Sequence, residues 1–183
     1  MLAVADFNGD GKPDLLEEGK NLSSFSVLLG NGDGTFQSPI STPTGGTLGF
    51  LAAADLNGDG RAAVVGVYGA VLYVFISNGD GTFKPGVTYP LGISSAVSGT
   101  LSIADFNGDG KKDIALNISS GTNGQVIVLL SNGDRTLQAP KTSTGAPYQY
   151  EPGKTIVGDF NGDGKFDLAV SDYCSGCSIP SYA

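Results

Sequence analysis

Apolar residues along the chain fall into short runs, and glycine, asparagine or aspartate bounds each run. Runs of this length, rich in β-branched and small residues, predict strands, and no segment shows the sustained 3.6-residue period of a helix. These runs come in pairs around short polar segments. The paired first and second strands are predicted at Leu2–Ala5 and Asp14–Leu16, Phe50–Ala54 and Ala63–Tyr68, Leu101–Ala104 and Asp113–Ile118, and Thr155–Val157 and Asp167–Ser171.

A third run, a glycine-rich turn and a fourth run follow each of the first three pairs. The turn reads Asn-Gly-Asp-Gly-Thr-Phe at Asn31–Phe36 and Asn78–Phe83, and Asn-Gly-Asp-Arg-Thr-Leu at Asn132–Leu137. Asn-Gly and Asp-Gly between strands predict a tight hairpin, because the central residues need positive φ. We favour this structural interpretation over a second metal site. The predicted third and fourth strands are Phe25–Leu29 and Gln37–Ser41, Val71–Ile76 and Phe83–Tyr89, and Gln125–Leu130 and Leu137–Ser143.

The repeating unit is therefore four antiparallel strands in about 50 residues, a period that is typical of β-propeller blades. We predict an all-β chain, a β-propeller of four-stranded antiparallel blades, with about three and a half to four blades. The chain forms one domain over residues 1–183, with repeats at approximately 1–44, 45–94, 95–145 and 146–183, the last incomplete. Because ring closure removes unpaired strand edges, we expect a part of a larger propeller or a homo-oligomer.

The polar segment between the first and second strands of each repeat carries oxygen side chains at alternating positions. In the third copy, loop positions 1, 3, 5 and 9 are Asp105, Asn107, Asp109 and Asp113. Glycines between them permit a tight wrap, since glycine readily adopts positive φ. Three carboxylates around one point repel each other without a cation, and an oxygen-only set favours Ca²⁺ over Mg²⁺. The alternative is an Asx-rich turn without metal.

Four such loops occur, and we number them in chain order from their first residues, Asp6, Asp55, Asp105 and Asp159. A simple turn has no reason to recur at this period with its ligand spacing intact. Only the second loop departs from the pattern, because Ala63 stands at position 9. Calcium affinity depends on the number of charged ligands. We therefore expect the second loop to bind Ca²⁺ most weakly, or to stay empty at concentrations that fill the others.

The charge balance narrows the classes of partner and of activity. The chain has 18 acidic and 10 basic residues, a net charge of −8, and most of the acids lie in the loops and turns. This balance, without a basic stripe, argues against a nucleic-acid partner. No run of about 20 apolar residues exists, which argues against membrane insertion. With no histidine, the commonest general base is missing, and we expect no catalytic residues.

Cysteine content and the start of the sequence bear on the compartment. Cys174 and Cys177 form a Cys-Ser-Gly-Cys segment, consistent with a local disulfide or two free thiols, whereas a zinc site would need further ligands. The sequence before the first loop is too short for a signal peptide. Loops of this kind need roughly 0.1–1 mM Ca²⁺, an extracellular level. We therefore expect an extracellular or cell-surface location, with any targeting segment absent from this sequence.

The long motif, apolar-x-x-Asp-Phe-Asn-Gly-Asp-Gly-Lys-x-Asp-Leu with a later Asn-Gly-Asp-Gly-Thr-Phe, resembles the FG-GAP/VCBS repeat family. Blades of that family form the integrin α-subunit propeller and many microbial surface and lectin propellers. The resemblance covers essentially the whole chain and implies that each loop joins the first two strands of a blade and holds Ca²⁺. Arg135, at a position that is usually glycine in the family, departs from the pattern.

The resemblance also implies a ligand set, made of the side chains at positions 1, 3, 5 and 9 and the main-chain carbonyl of position 7. The implied ligands are Asp6, Asn8, Asp10, Lys12 and Asp14; Asp55, Asn57, Asp59 and Arg61; Asp105, Asn107, Asp109, Lys111 and Asp113; and Asp159, Asn161, Asp163, Lys165 and Asp167. EF-hands and dockerins share part of the motif but place it beside a helix. An EF-hand also needs Glu at position 12, which only the first copy has, as Glu17.

These expectations combine into a calcium-stabilised, non-catalytic propeller module for adhesion or ligand binding, with a protein or a glycan as ligand. The alternatives are a carbohydrate-binding, lectin-like propeller and an accessory propeller of a polysaccharide-degrading enzyme. A glycan site needs exposed aromatic side chains with polar neighbours, and the absence of tryptophan slightly disfavours one. The candidate aromatic residues are Tyr68, Tyr73, Tyr89, Tyr148, Tyr150 and Tyr173.

Overall fold

The structure is a computed structural model, and it describes residues 2–19, 23–93, 98–120, 123–144 and 151–173. The first sheet contains β1 (Leu2–Ala5), β2 (Asp14–Glu18), β3 (Ser24–Leu28) and β4 (Ile40–Pro43). The second contains β5 (Phe50–Ala54), β6 (Ala63–Tyr68), β7 (Val71–Phe75) and β8 (Val87–Pro90). The third contains β9 (Ser98–Ala104), β10 (Asp113–Ser120), β11 (Asn123–Leu129) and β12 (Lys141–Thr144), and the fourth β13 (Glu151–Gly158) and β14 (Asp167–Tyr173).

Strand order follows chain order in every sheet, and each pairing is antiparallel. This arrangement confirms the prediction of an all-β chain built from four-stranded antiparallel units. No helix occurs among the described residues, so none there could cross a membrane. Residues 174–183, with Cys174 and Cys177, lie outside the described residues, as do Tyr148 and Tyr150.

The first strand of each sheet contacts the first strand of the next, from β1 through β5 and β9 to β13. Between the last two sheets, Ser102 Oγ and Thr155 Oγ1 lie 2.8 Å apart in a hydrogen bond. The first strands therefore succeed one another along one side of the array, which is the position of innermost strands in a propeller.

Two apolar clusters between neighbouring sheets form the core of the described chain. One lies between the first and second sheets and includes Phe7, Phe25 and Val64. The other lies between the second and third sheets and includes Val65 and Ile114. Successive residues of a strand point to opposite faces, so adjacent valines of β6 enter different clusters. Because the second sheet is covered on both faces, its strands read as continuous apolar runs.

Apolar side chains at the two ends of the array are exposed. On β1, Leu2 and Val4 are 69% and 61% exposed, and at the other end Ile156 and Phe160 are 64% and 60% exposed. The equivalent of Phe160 in the first loop, Phe7, is fully buried under the second sheet. Loop position 2 of the first loop is therefore buried by the sheet that follows, and both end faces leave apolar side chains uncovered.

The predicted starts of the fourth strands, at Gln37, Phe83 and Leu137, are wrong, since β4, β8 and β12 begin three or four residues later. Phe83 and Leu137 each form a single bridge, to Ser77 and Ser131, that closes the preceding turn. A proline then precedes each ladder, at Pro39, Pro85 and Pro140. Proline has no N–H to donate, so continuous pairing starts only after it.

The first core cluster generates a stability prediction. Phe25 is fully buried, and its ring packs edge-to-face on Phe75 (5.2 Å between centroids) and Phe83 (5.1 Å). We expect Phe25→Ala to lower the free energy of unfolding by about 3–5 kcal/mol. The control is Phe36→Ala, at a position 40% exposed, for which we expect less than about 1 kcal/mol. Denaturant unfolding measures both, and similar losses would contradict this packing.

Candidate metal loops

Each loop folds around the carboxylate of its first aspartate. In the third loop, Asp105 Oδ1 accepts hydrogen bonds from the N–H groups of Gly108 (2.8 Å) and Asp109 (3.1 Å), and Oδ2 accepts one from Gly110 (2.7 Å). Gly108 and Gly110 have φ of 78° and 84°, as the sequence predicts. The first aspartates of the other loops accept the same kind of bonds: Asp6, Asp55 and Asp159.

Positions 3 and 5 form two further Asx turns within the same loop. Asn107 Oδ1 accepts from the N–H of Asp109 (2.9 Å), and Asp109 Oδ1 accepts from the N–H of Lys111 (3.0 Å). The first and fourth loops repeat both bonds. A carboxylate can accept about four hydrogen bonds, so these turns leave oxygen lone pairs for another ligand.

Position 9 has a role that sequence reasoning did not identify. Asp113 is fully buried, and it accepts hydrogen bonds from the N–H groups of Phe106 (3.1 Å) and Ser131 (2.8 Å). In the first loop, Asp14 is equally buried and accepts from Phe7 and Gly30, both at 2.8 Å. This carboxylate therefore joins the start of the loop to the residues just after the third strand.

The third loop shows how burial and charge act on these carboxylates. Burial raises the pKa of the Asp113 carboxyl above its ordinary value. The N–H groups of Ser131 and Phe106 partly oppose that rise, and the nearby carboxylates of Asp109 and Asp105 add to it. At Asp109 the direction is opposite, because the N–H of position 7 lowers its pKa. The negative charges of Asp105 and Asp109 thus act on the carboxyl at position 9.

The donor chemistry of these loops fits a hard cation, because every side chain of the predicted set coordinates through oxygen. The geometry fits less completely: among the described residues, no three His, Cys, Asp or Glu side chains are grouped to hold a metal ion. The structure brings positions 1, 3 and 5 together in one turn and directs position 9 of the first and third loops at backbone N–H groups. The calcium ligand set remains a prediction.

The second loop differs in its charge partners. Asp55 accepts the usual backbone bonds from Gly58 and Gly60, both at 2.8 Å. Asp59, at position 5, pairs with the guanidinium groups of Arg61 and Arg135. Ala63, in place of the position-9 aspartate, lies buried in the apolar cluster between the second and third sheets.

The Asn-Gly-Asp turns carry internal hydrogen bonds of their own. Asp33 Oδ1 accepts from both the N–H (2.9 Å) and the hydroxyl (2.6 Å) of Thr35, and Asn31 Nδ2 donates to Thr35 Oγ1 (2.8 Å). The Thr35 hydroxyl and N–H lower the pKa of Asp33. Gly32 and Gly34 have φ of 83° and 90°, as predicted for this turn. These contacts support the structural interpretation of the motif.

The loops lie at the joints between sheets, which the sequence analysis also missed. The Ser77 hydroxyl of the second sheet donates to the carbonyl of Phe7 in the first loop (2.5 Å). The Ser131 hydroxyl repeats this contact one sheet later, to the carbonyl of Leu56 (3.2 Å). The available signal was the serine that directly precedes two of the three Asn-Gly turns.

Comparison with known proteins identifies the family. The FG-GAP-like repeat model matches residues 6–66, 55–116 and 105–170, and each match starts at the first aspartate of a loop. The chain belongs to the FG-GAP-like repeat family, which confirms the resemblance read from the motifs. No curated protein matches the sequence significantly.

Two solved structures show where this fold occurs. A lectin of Agrocybe aegerita, described in specific recognition of non-reducing terminal N-acetylglucosamine, is similar at 28% identity, with a TM-score of 0.65. The match covers 90% of this chain and 44% of the lectin. The Tc holotoxin pore of Photorhabdus luminescens is similar at 22% identity and a TM-score of 0.57, over 91% of this chain and 8% of that one. The chain spans less than half the length of either structure. Together with the sheet topology, these similarities fit a propeller of four-stranded blades.

The buried position-9 carboxylate generates a prediction that is independent of any metal. In Asp113→Asn, one acceptor oxygen becomes an NH₂ group that faces a backbone N–H. We expect a loss of about 1–3 kcal/mol in the free energy of unfolding, measured in EDTA, because a buried donor is left unsatisfied. The control is Asp134→Asn in the exposed third turn, with an expected change within about 0.5 kcal/mol. Equal stability of Asp113→Asn and the unmodified protein would show that these two hydrogen bonds of Asp113 do not stabilise the fold.

Proposed function

We propose that this chain is a calcium-stabilised, non-catalytic propeller module that binds a ligand outside the cell. One observation carries the proposal: repeated loops gather the oxygen side chains of positions 1, 3 and 5 in one turn, at the joints between sheets. In the third loop, the Asp105 and Asp109 carboxylates raise the pKa of Asp113 through their charge. A cation bound there would remove that repulsion at the point where loop, blade and neighbouring blade meet.

The oxygens that would hold the ion come from positions 1, 3 and 5, with the main-chain carbonyl of position 7. In the complete loops these residues are Asp6, Asn8, Asp10 and Lys12; Asp105, Asn107, Asp109 and Lys111; and Asp159, Asn161, Asp163 and Lys165. Position 9 contributes through lone pairs that its two backbone hydrogen bonds leave free. Bound Ca²⁺ supplies positive charge and cross-links oxygens within the loop, so its role is structural.

Calcium removal tests this proposal. We expect the melting temperature in millimolar Ca²⁺ to exceed that in excess EDTA, since each site adds about 2.7 kcal/mol when free Ca²⁺ is 100 times its dissociation constant. Mg²⁺ should restore little stability, because it requires tighter octahedral geometry. Equal melting temperatures in Ca²⁺ and EDTA would contradict the calcium proposal.

The absence of catalysis, the location and the assembly belong to the same proposal. The sequence contains no histidine, and the loop and turn carboxylates of the described residues are engaged in backbone hydrogen bonds. Such loops need extracellular calcium levels. The exposed Leu2, Val4 and Ile156 on the end faces support further blades, within a longer chain or from a second copy.

A glycan is the ligand class that the comparisons favour. The related Agrocybe aegerita lectin is described in recognition of terminal N-acetylglucosamine. In this chain, a groove of about 400 Å³ opens between the first and second sheets. The partly exposed Tyr73 and Phe83 supply an aromatic wall beside the buried Phe75, and Thr42, Thr44 and Lys84 supply polar groups. Aromatic faces with a few polar neighbours are typical of a ligand pocket.

A glycan array tests the ligand class. We expect binding to glycans that end in N-acetylglucosamine, weakened by chelator as the blades lose their calcium. Tyr73→Ala should reduce this binding about tenfold, because it removes a partly exposed aromatic side chain of the groove. The control is Tyr68→Ala, which changes a tyrosine that is 48% exposed and outside the groove. No glycan binding, or equal effects of both substitutions, would exclude this groove as a sugar site.

A further inference from the structure

We propose that the second loop is neutralised by arginine in place of a metal ion. The guanidinium groups of Arg61 and Arg135 supply at Asp59 the positive charge that Ca²⁺ supplies in the first, third and fourth loops. The chain then has three calcium sites and one loop that needs none. This inference rests on the proposed calcium function of the other loops, and its test separates the two.

The ion pairs of the second loop are closer, and less exposed to solvent, than those of the first and third loops. Arg61 Nη2 lies 2.9 Å from Asp59 Oδ2, and Arg135 contacts the same oxygen. In the first and third loops, a lysine at position 7 lies 3.6 Å from the position-5 carboxylate. The side chain of Asp59 is 22% exposed, whereas those of Asp10 and Asp109 are 35% exposed. Lower exposure to solvent strengthens the attraction between opposite charges, because the local dielectric constant is lower.

Arg135 reaches this loop from the next sheet and holds an unfavourable backbone conformation there. Its φ is 73°, and among the described residues no other non-glycine residue has positive φ. The equivalent residues of the first and second turns are Gly34 and Gly81, with φ of 90° and 84°. A non-glycine residue in this region persists only when its surroundings compensate. The pairing with Asp59 is the compensating contact that the structure shows.

The charge count of the loops agrees with this assignment. The second loop has two carboxylates, Asp55 and Asp59, against Arg61 and the incoming Arg135, so its side chains sum to zero. The first and fourth loops each have three aspartates and one lysine, which leaves −2. The third, with Lys111 and Lys112, keeps −1. When each loop is counted with its own residues and the cations ion-paired to it, the second loop sums to zero.

The arginines also cover the Asp59 carboxylate, whereas Asp55 and Asn57 line a separate cleft of about 310 Å³. Asn57, Asp59, Arg61, Ser77 and Arg135 line a narrow cleft at this carboxylate. With its amide oriented to satisfy its neighbours, Asn57 accepts a hydrogen bond from Arg135 Nε (3.3 Å). An approaching cation would meet two positive groups at the position-5 carboxylate, and an amide oxygen already engaged.

A matched pair of substitutions at loop position 5 tests the inference. Asp109→Asn in the third loop and Asp59→Asn in the second each replace a carboxylate by a neutral amide of the same shape, at equivalent positions. Calorimetric titration with CaCl₂ counts the ions bound by each full-length variant. We expect Asp109→Asn to bind one ion fewer than the unmodified protein, and Asp59→Asn to bind the same number. Loss of one ion in Asp59→Asn would overturn the inference while leaving the calcium proposal intact.

Thermal melts in EDTA test the inference without calcium. Asp59→Asn should lower the melting temperature there, because it leaves two guanidinium groups without their carboxylate. Asp109→Asn should leave it unchanged or raise it, because it relieves repulsion around Asp113. If Asp59→Asn is unchanged or raised as well, the arginine assignment is wrong. If the unmodified protein binds no calcium, the proposed function fails, and the EDTA comparison still decides the role of the arginines.

Discussion

The buried carboxylate at loop position 9 is the interaction that ties loop to sheet in the first and third blades. Asp14 and Asp113 both lie fully out of solvent and both accept two backbone hydrogen bonds. One bond fixes the beginning of the loop, and the other fixes the residue after the third strand. Burying such a charge is costly unless it is hydrogen-bonded, so the loop and the sheet must form together.

The loops lie where neighbouring sheets join. The carbonyls of Phe7 and Leu56, at loop position 2, accept hydroxyl bonds from Ser77 and Ser131 of the following sheet. The side chains of Phe7 and Leu56 enter the apolar clusters below. Charge in a loop therefore acts on the packing between blades as well as on its own turn, which is why neutralising the loop would stabilise the array.

The sequence predicted the features that depend on local pattern. Strand existence, the four-stranded unit and the positive φ of Gly108 and Gly110 follow from periodicity and turn chemistry, and the structure agrees. The starts of the fourth strands were wrong, because an isolated bridge and a proline delay the ladder. The contact between Arg135 and Asp59 could not be predicted, since it joins two sheets across 76 residues. The same holds for the second hydrogen bond of Asp113, whose donor follows another strand.

We propose that cations hold the first, third and fourth loops. Long-wavelength X-ray diffraction from crystals grown in millimolar Ca²⁺ tests it most directly, because bound calcium scatters anomalously and its position is seen without assumptions about the protein. We expect anomalous peaks among the side-chain oxygens of Asp6, Asp105 and Asp159 and of the neighbouring position-3 and position-5 residues. Crystals that diffract well and show no peak at any of these three loops would contradict it.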